Sequence, residues 1–176
     1  FDEMPASRNP TAGYVVTCNQ RVTPAGFPRY IGLDFASEYR ARRISARLHA
    51  LEAGAASVAG MSAVHADRTS IPARSFVEAV RSLNPASSDV RAARDLLLAW
   101  DLSMDRDSAA AAIYGAAQTH WRDAILESAL GNLAEEARSA GGRGVRVSVS
   151  HLHTRMVTAL AAGEDSPLAP ETGLRS

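Results

Sequence analysis

Asn9-Pro10-Thr11-Ala12-Gly13-Tyr14-Val15-Val16-Thr17-Cys18-Asn19-Gln20-Arg21-Val22 is the stretch from which this chain is best read. Tyr14 to Thr17 are aromatic and β-branched, a composition that predicts a buried β-strand. Asn9, Pro10 and Gly13 are turn formers and feed the strand. Asn19 and Gln20 then place two side-chain amides where the strand runs out. Taken alone, Asn19 reads as the residue that ends a strand in a turn. Cys18 has no His near it in sequence and reads as a small buried hydrophobe.

Composition bounds the rest. The chain of 176 residues is long enough for one domain with a sizeable core. It carries 19 basic and 19 acidic residues, and this zero balance implies neither nucleic acid nor an anionic membrane as partner. Every basic side chain is Arg and Ala is abundant, which points to a GC-rich bacterial source. No apolar run approaches the ~18 residues of a membrane-spanning helix, and no signal peptide is seen. Cys18 is alone, so an intrachain disulfide or a zinc site of paired cysteines is excluded.

Beyond the first stretch the chain reads as a run of helices. Arg21 to Gly26 forms a turn, and Phe27 to Phe35 is extended or irregular. Ser37 is placed to cap a helix from Glu38 to Ala53, closed by Gly54. Ala41, Ile44, Leu48 and Leu51 share one face of it, with Arg40 half-buried at the edge and Arg42 pointing to solvent. Ser57 caps a second helix, Val58 to Asp67. Ser70 and Pro72 start a third, with Phe76, Val80 and Leu83 buried, and Asn84-Pro85 ends it. Ser88 caps a fourth, along which Val90, Ala93, Leu97 and Trp100 align. An Ala-rich helical region runs from Ser108 to Ala140 with a break at Gly131. Val145, Val147 and Val149 alternate as in a short strand, which puts His151 and His153 on one strand face. Two imidazoles without a third ligand are better read as surface histidines than as a metal site.

Several of these segments carry a recognisable text. After Asn9-Pro10, Gly13-Tyr14 and Asn19-Gln20 come Phe27-Pro28-Arg29-Tyr30-Ile31-Gly32 and Tyr39-Arg40-Ala41-Arg42-Arg43-Ile44. In this order and spacing they resemble the penicillin acylase (penicillin amidase) family of N-terminal-nucleophile hydrolases. The family text is an Asn-Pro, a Gly-aromatic strand, an Asn-Asn pair, a Tyr-Pro and a Tyr-Arg-Ala-x-Arg-Ile helix start. Met61 to Ser70 resembles its Met-x-x-Leu-Gln-x-Asp-x-x-Ser signature, with His65 in place of Gln. Trp100-Asp101, Met104, Ser108 and Tyr114 follow its Trp-Asp, Met, Ser and Ile-Tyr pattern. The likeness covers about the first two-thirds of the chain and fades near residue 130.

The resemblance implies a fold and a chemistry. The fold would be α+β: a mostly helical segment of an αββα sandwich, with one or two N-terminal strands before the helices. The 176 residues would form a single partial domain, an internal fragment of the β-subunit. Residues 1–36 would be the core strand and active-site loop, 37–140 the helical region and 141–176 a poorly defined C-terminal part. The family's nucleophile is an N-terminal Ser, Cys or Thr whose own α-amino group is the base. This chain begins at Phe1, so the nucleophile is expected outside it and the chain alone is expected to be inactive and marginally folded. The resemblance assigns Asn19 to the oxyanion hole, with Gln20 departing from the second Asn of the pair. It assigns Arg40 to positioning in the active site, although a structural ion pair is an open alternative, and makes Arg43 structural.

The expected partners are the remaining segments of the same precursor, the α-subunit and the rest of the β-subunit, and a small acylated amine. That amine would be a β-lactam antibiotic or an acyl-homoserine lactone. The resemblance also implies a periplasmic or secreted parent. No cofactor is expected in this segment, although family members often carry a structural calcium. Asp101, Asp105 and Asp107 approach a calcium-loop spacing but lack its Gly and closing Glu, and read instead as caps for the helix after Ser108. A second class of function stays open, a non-catalytic helical interaction module of shared ancestry.

Overall fold

The computed structural model describes residues 3–51, 56–139 and 149–162. The chain falls into two compact units, Phe1–Asp67 and Arg68–Ser176.

In the first unit an irregular segment leads into α1, Tyr39–His49, and then α2, Val58–His65. The strand expected at Tyr14 to Thr17 is absent, and no strand occurs among the described residues. β-Branched residues favour extended backbone, but a strand needs a ladder partner. Here the Gln20 side chain takes one edge of the segment: its Oε1 accepts from Cys18 N at 2.6 Å and its Nε2 donates to Val16 O at 3.3 Å. Val15 is left 61 % exposed rather than buried. Other contacts hold the segment in place, with Tyr14 Oη donating to the Ser45 carbonyl at 3.3 Å and Ala36 N to the Asn19 carbonyl at 2.8 Å.

α1 starts and ends short of the span its apolar stripe predicts. Glu38, not Ser37, stands at its N-cap, and no side chain caps it. It ends at His49, and Ala53 and Gly54 lie outside the described residues. The stripe itself holds: Ala41 is buried, and Ile44, Leu48 and Leu51 are half-buried. α2 is capped as expected, the Ser57 Oγ accepting from Gly60 N at 3.1 Å, but it ends two residues before Asp67.

The second unit holds α3, Ile71–Arg81; α4, Ser88–Leu98; α5, Ala109–Leu130; α6, Ala134–Ser139; and α7, Val149–Ala162. α3 packs against α4 and α7, and α5 against α4, α6 and α7. Pro72 lies in the first turn of α3, where its missing N–H costs nothing. Ser87 stands at the N-cap of α4, so Ser88 is its first residue rather than its cap. Ser108 caps α5 by accepting from Ala111 N at 3.2 Å, a role the aspartates before it do not share. Gly131, at φ +54°, ends α5 and opens a short 3₁₀ turn, Gly131–Leu133.

The core of this unit gathers Ala73, Leu97 and Tyr114, with Phe76, Val80, Trp100, Leu102 and Ile113 around them. Tyr114 meets Phe76 edge-on at 5.3 Å between centroids and Trp100 at 5.4 Å. Leu83 and Val90, read as buried from periodicity, are instead 46 % and 53 % exposed. Leu83 lies two residues past the end of α3 and Val90 in the first turn of α4, away from the middle turns that the core covers. Residues 68–70 pair with 102–104 through Ser70 N to Leu102 O at 2.9 Å and Met104 N to Arg68 O at 3.0 Å. These flank a single β-bridge between Thr69 and Ser103.

The strand read at 145–149 finds no support at Val149, which begins α7, and Val145 and Val147 lie outside the described residues. His151 and His153 therefore lie in a helix and not on a strand. Met156, Val157 and Ala159 supply the buried side of α7. No described helix is long and apolar enough to cross a membrane.

Candidate active site around Asn19 and Arg40

Asn19 follows the extended segment in the left-handed region, with φ +63°. Among residues with a Cβ, Asn tolerates this conformation best, which is why it can turn the chain here. The carbonyl of Asn19 is fixed by Ala36 N at 2.8 Å. Arg40, the second residue of α1, reaches the same turn. Its Nη2 donates to the Cys18 carbonyl at 2.7 Å and to Oδ1 of Asn19 at 2.9 Å.

The second of these bonds sets the direction of the Asn19 amide. A guanidinium only donates, so the atom facing it is the amide oxygen. The Nδ2 end then points away with its hydrogens available. Among the described residues no acceptor takes them. Asn19 is exposed, so an external group can reach the donor. A neutral N–H₂ held in this way can stabilise a developing oxyanion without itself titrating.

Arg40 is exposed rather than half-buried. It lies at the open end of α1, where a helix edge has less cover than its middle turns. Arg42 is exposed, as its helical angle requires. Tyr39, beside Arg40, is partly desolvated, and burial pushes its phenol above the ordinary tyrosine value.

Arg43 forms a fork with Asp67, Nε to Oδ1 at 2.9 Å and Nη2 to Oδ2 at 2.6 Å. Arg47 Nε adds a contact to Asp67 Oδ2 at 3.4 Å. The side chain of Asp67 is only 11 % exposed. Its hydrogen bond, and then its charge, raise the Arg43 pKa further. The pair ties α1 to the end of α2, and so braces the helix that carries Arg40. Sequence reasoning named Arg43 as structural but missed Asp67 as its partner. The signal was present, because both residues stand in the quoted motifs, but 24 positions separate them and only the fold brings them together.

The other candidates disperse. Cys18 is buried, with its N–H and C=O both taken by side chains. His65 is exposed at the end of α2. Asp101 Oδ1 accepts from Ser103 N at 2.9 Å, and Asp105 pairs with Arg68 at 3.1 Å. Among the described residues no group of three or more His, Cys, Asp or Glu side chains is placed to hold a metal. Trp100 and Tyr114 serve the core, with Trp100 Nε1 donating to Ser103 O at 2.9 Å.

An extended segment, an oriented carboxamide and a bracing guanidinium thus meet at this one turn. A family model for penicillin amidase matches residues 1–172, and the chain belongs to that family. The match extends well past residue 130, so the α5–α7 region carries family character that short motifs do not display. A search of curated proteins finds no match to the chain.

Proposed function

We propose that this chain is the segment of a penicillin acylase-type amidase that stabilises the oxyanion. The nucleophile is supplied by another segment of the same precursor, within the αββα sandwich of the parent enzyme. One observation carries the reading: a single Arg40 nitrogen bonds both the Cys18 carbonyl and Asn19 Oδ1, leaving Nδ2 of Asn19 as an aimed donor.

The nucleophile attacks the carbonyl carbon of a linear amide, and the carbonyl oxygen takes up negative charge. Asn19 donates to that oxygen, and the bond strengthens as the charge grows. Collapse of the tetrahedral species expels the amine and leaves an acyl-enzyme, which water then hydrolyses. Arg40 touches Asn19 and acts as its positioning residue. The substrate is an acylated amine, either a β-lactam antibiotic with its acyl side chain or an acyl-homoserine lactone. The parent is periplasmic or secreted, and like many members of the family it can carry a structural calcium.

The test is Asn19→Ala in the full-length enzyme. One oxyanion donor is worth about 3 kcal/mol, so kcat should fall roughly a hundredfold with KM little changed. Full kcat in a well-folded variant, or a loss that only follows lost folding, overturns the reading.

A further inference from the structure

Gln20 folds its side chain back onto the segment that leads into the Asn19 turn, with its Oε1 2.6 Å from Cys18 N. We propose that Gln20 is a positioning residue that holds Asn19 in its donating conformation. The proposal rests on the reading of Asn19 as the oxyanion donor.

The geometry begins with the backbone. Gln20 folds back along its own chain, accepting from Cys18 N at 2.6 Å and donating to Val16 O at 3.3 Å. The two groups flank Thr17 on one edge of the extended segment, and a residue of a neighbouring parallel strand would bond them in the same sense. The side-chain amide thus stands in for a strand neighbour. Arg40 takes the other polar group of Cys18, its carbonyl, at 2.7 Å. The residue before Asn19 is therefore held at both its N–H and its C=O, and Asn19 itself is held at its carbonyl by Ala36 N at 2.8 Å.

Such over-determination is what a left-handed Asn needs. A non-glycine residue at φ +63° is strained relative to extended backbone and persists only where its surroundings fix it. Release the Cys18 N–H, and the turn can relax toward the β region. The Asn19 side chain then swings with its Cα, and Nδ2 leaves the line on which the oxyanion develops. A donor displaced by even an ångström costs rate without costing ground-state binding. The amide at position 20 is also long enough for this contact. Its contact with the Val16 carbonyl reaches back four positions along the chain.

The experiment is a double-mutant cycle in the full-length enzyme, with kcat and KM measured on acyl-4-nitroanilides that the wild type turns over. Concentrations are normalised to processed chains by mass spectrometry. Gln20→Leu keeps the approximate volume and removes both hydrogen bonds. The expected result is a kcat lower by about tenfold with KM unchanged. In an Asn19→Ala background the same Gln20→Leu change should cost nothing further, because the group it positions is gone. Full kcat for Gln20→Leu beside an impaired Asn19→Ala overturns this proposal and leaves the oxyanion reading standing. So do losses that simply multiply in the double variant. Full kcat for Asn19→Ala overturns the oxyanion reading itself.

Discussion

Arg40 and Asn19 stand 21 positions apart in sequence and 2.9 Å apart between Nη2 and Oδ1. The same nitrogen holds the Cys18 carbonyl at 2.7 Å. One guanidinium group therefore fixes both the backbone before Asn19 and the amide at its tip. This double hold uses two hydrogens of one terminal nitrogen at the end of the long arginine side chain, and it makes the two residues one working unit rather than two.

Arg40→Lys in the full-length enzyme should lower kcat about tenfold or more. A lysine keeps the charge but presents a compact, strongly hydrated head on a shorter stem, and cannot hold both oxygens in the same geometry. Arg42→Lys, on the exposed side of α1, should leave kcat unchanged. Steady-state kinetics on the two variants side by side decides it, and equal losses would refute the special place of Arg40.

Asp67→Asn should destabilise the protein by about 2 kcal/mol, since it removes the charge from a largely buried carboxylate that serves two arginines. Denaturant unfolding measures the loss. The side chain of Arg68, one residue on, pairs with Asp105 where both are more than half exposed. Arg68→Gln should therefore change stability by less than about 1 kcal/mol. If both variants unfolded at the same denaturant concentration, the Arg43–Asp67 fork would not be a brace.

What the sequence disclosed follows from how local each feature is. Helix starts were legible because Ser57, Pro72 and Ser108 act within one turn, as did the break at Gly131. The Asn19–Arg40 unit was legible only through its motifs, since no periodicity links a turn to the start of α1. The strand at Tyr14 to Thr17 was misread because propensity describes one chain, whereas a ladder needs two. Gln20 shows how a side chain can occupy an edge that a strand would otherwise use. At Val149 the alternation of valines led the reading astray in the same way, since the helical period of α7 only becomes visible at Met156, Val157 and Ala159. Arg43 and Asp67 each stood in a motif, but their pairing across 24 positions came only from the fold.

Ser108→Ala should cost about 1 kcal/mol, because its hydroxyl caps the N–H of Ala111 at the start of α5. Asp107 is exposed and offers α5 only its charge near the helix start. Asp107→Asn should cost less than about 0.5 kcal/mol at moderate salt. Thermal unfolding of the two variants separates a cap from a nearby charge, and a larger effect at Asp107 would reverse the assignment.

His153 should make stability depend on pH. Its ring is half-buried on α7, and burial holds its pKa below the ordinary histidine value. Its Nε2 meets Nε2 of Gln118, which also donates to the Tyr114 hydroxyl beside the core. The ring nitrogen facing that donor is an acceptor, so the ring is neutral in the fold. In the unfolded chain the ring titrates near pH 6.5. Between the lowered folded value and about 6.5 the unfolded state binds more protons, so stability rises with pH across that window. The contribution is fully present above about pH 6.5 and is lost as the pH falls below it. Charging the ring also turns the acceptor into a donor against Gln118 and loosens the contact between α5 and α7. His153→Gln cannot titrate, so the difference between its unfolding free energy and that of the wild type cancels the other carboxylates and histidines. That difference should shift in favour of the variant between pH 7.5 and pH 5. Parallel stability curves for the two proteins across this range would show that His153 is not held neutral by its surroundings.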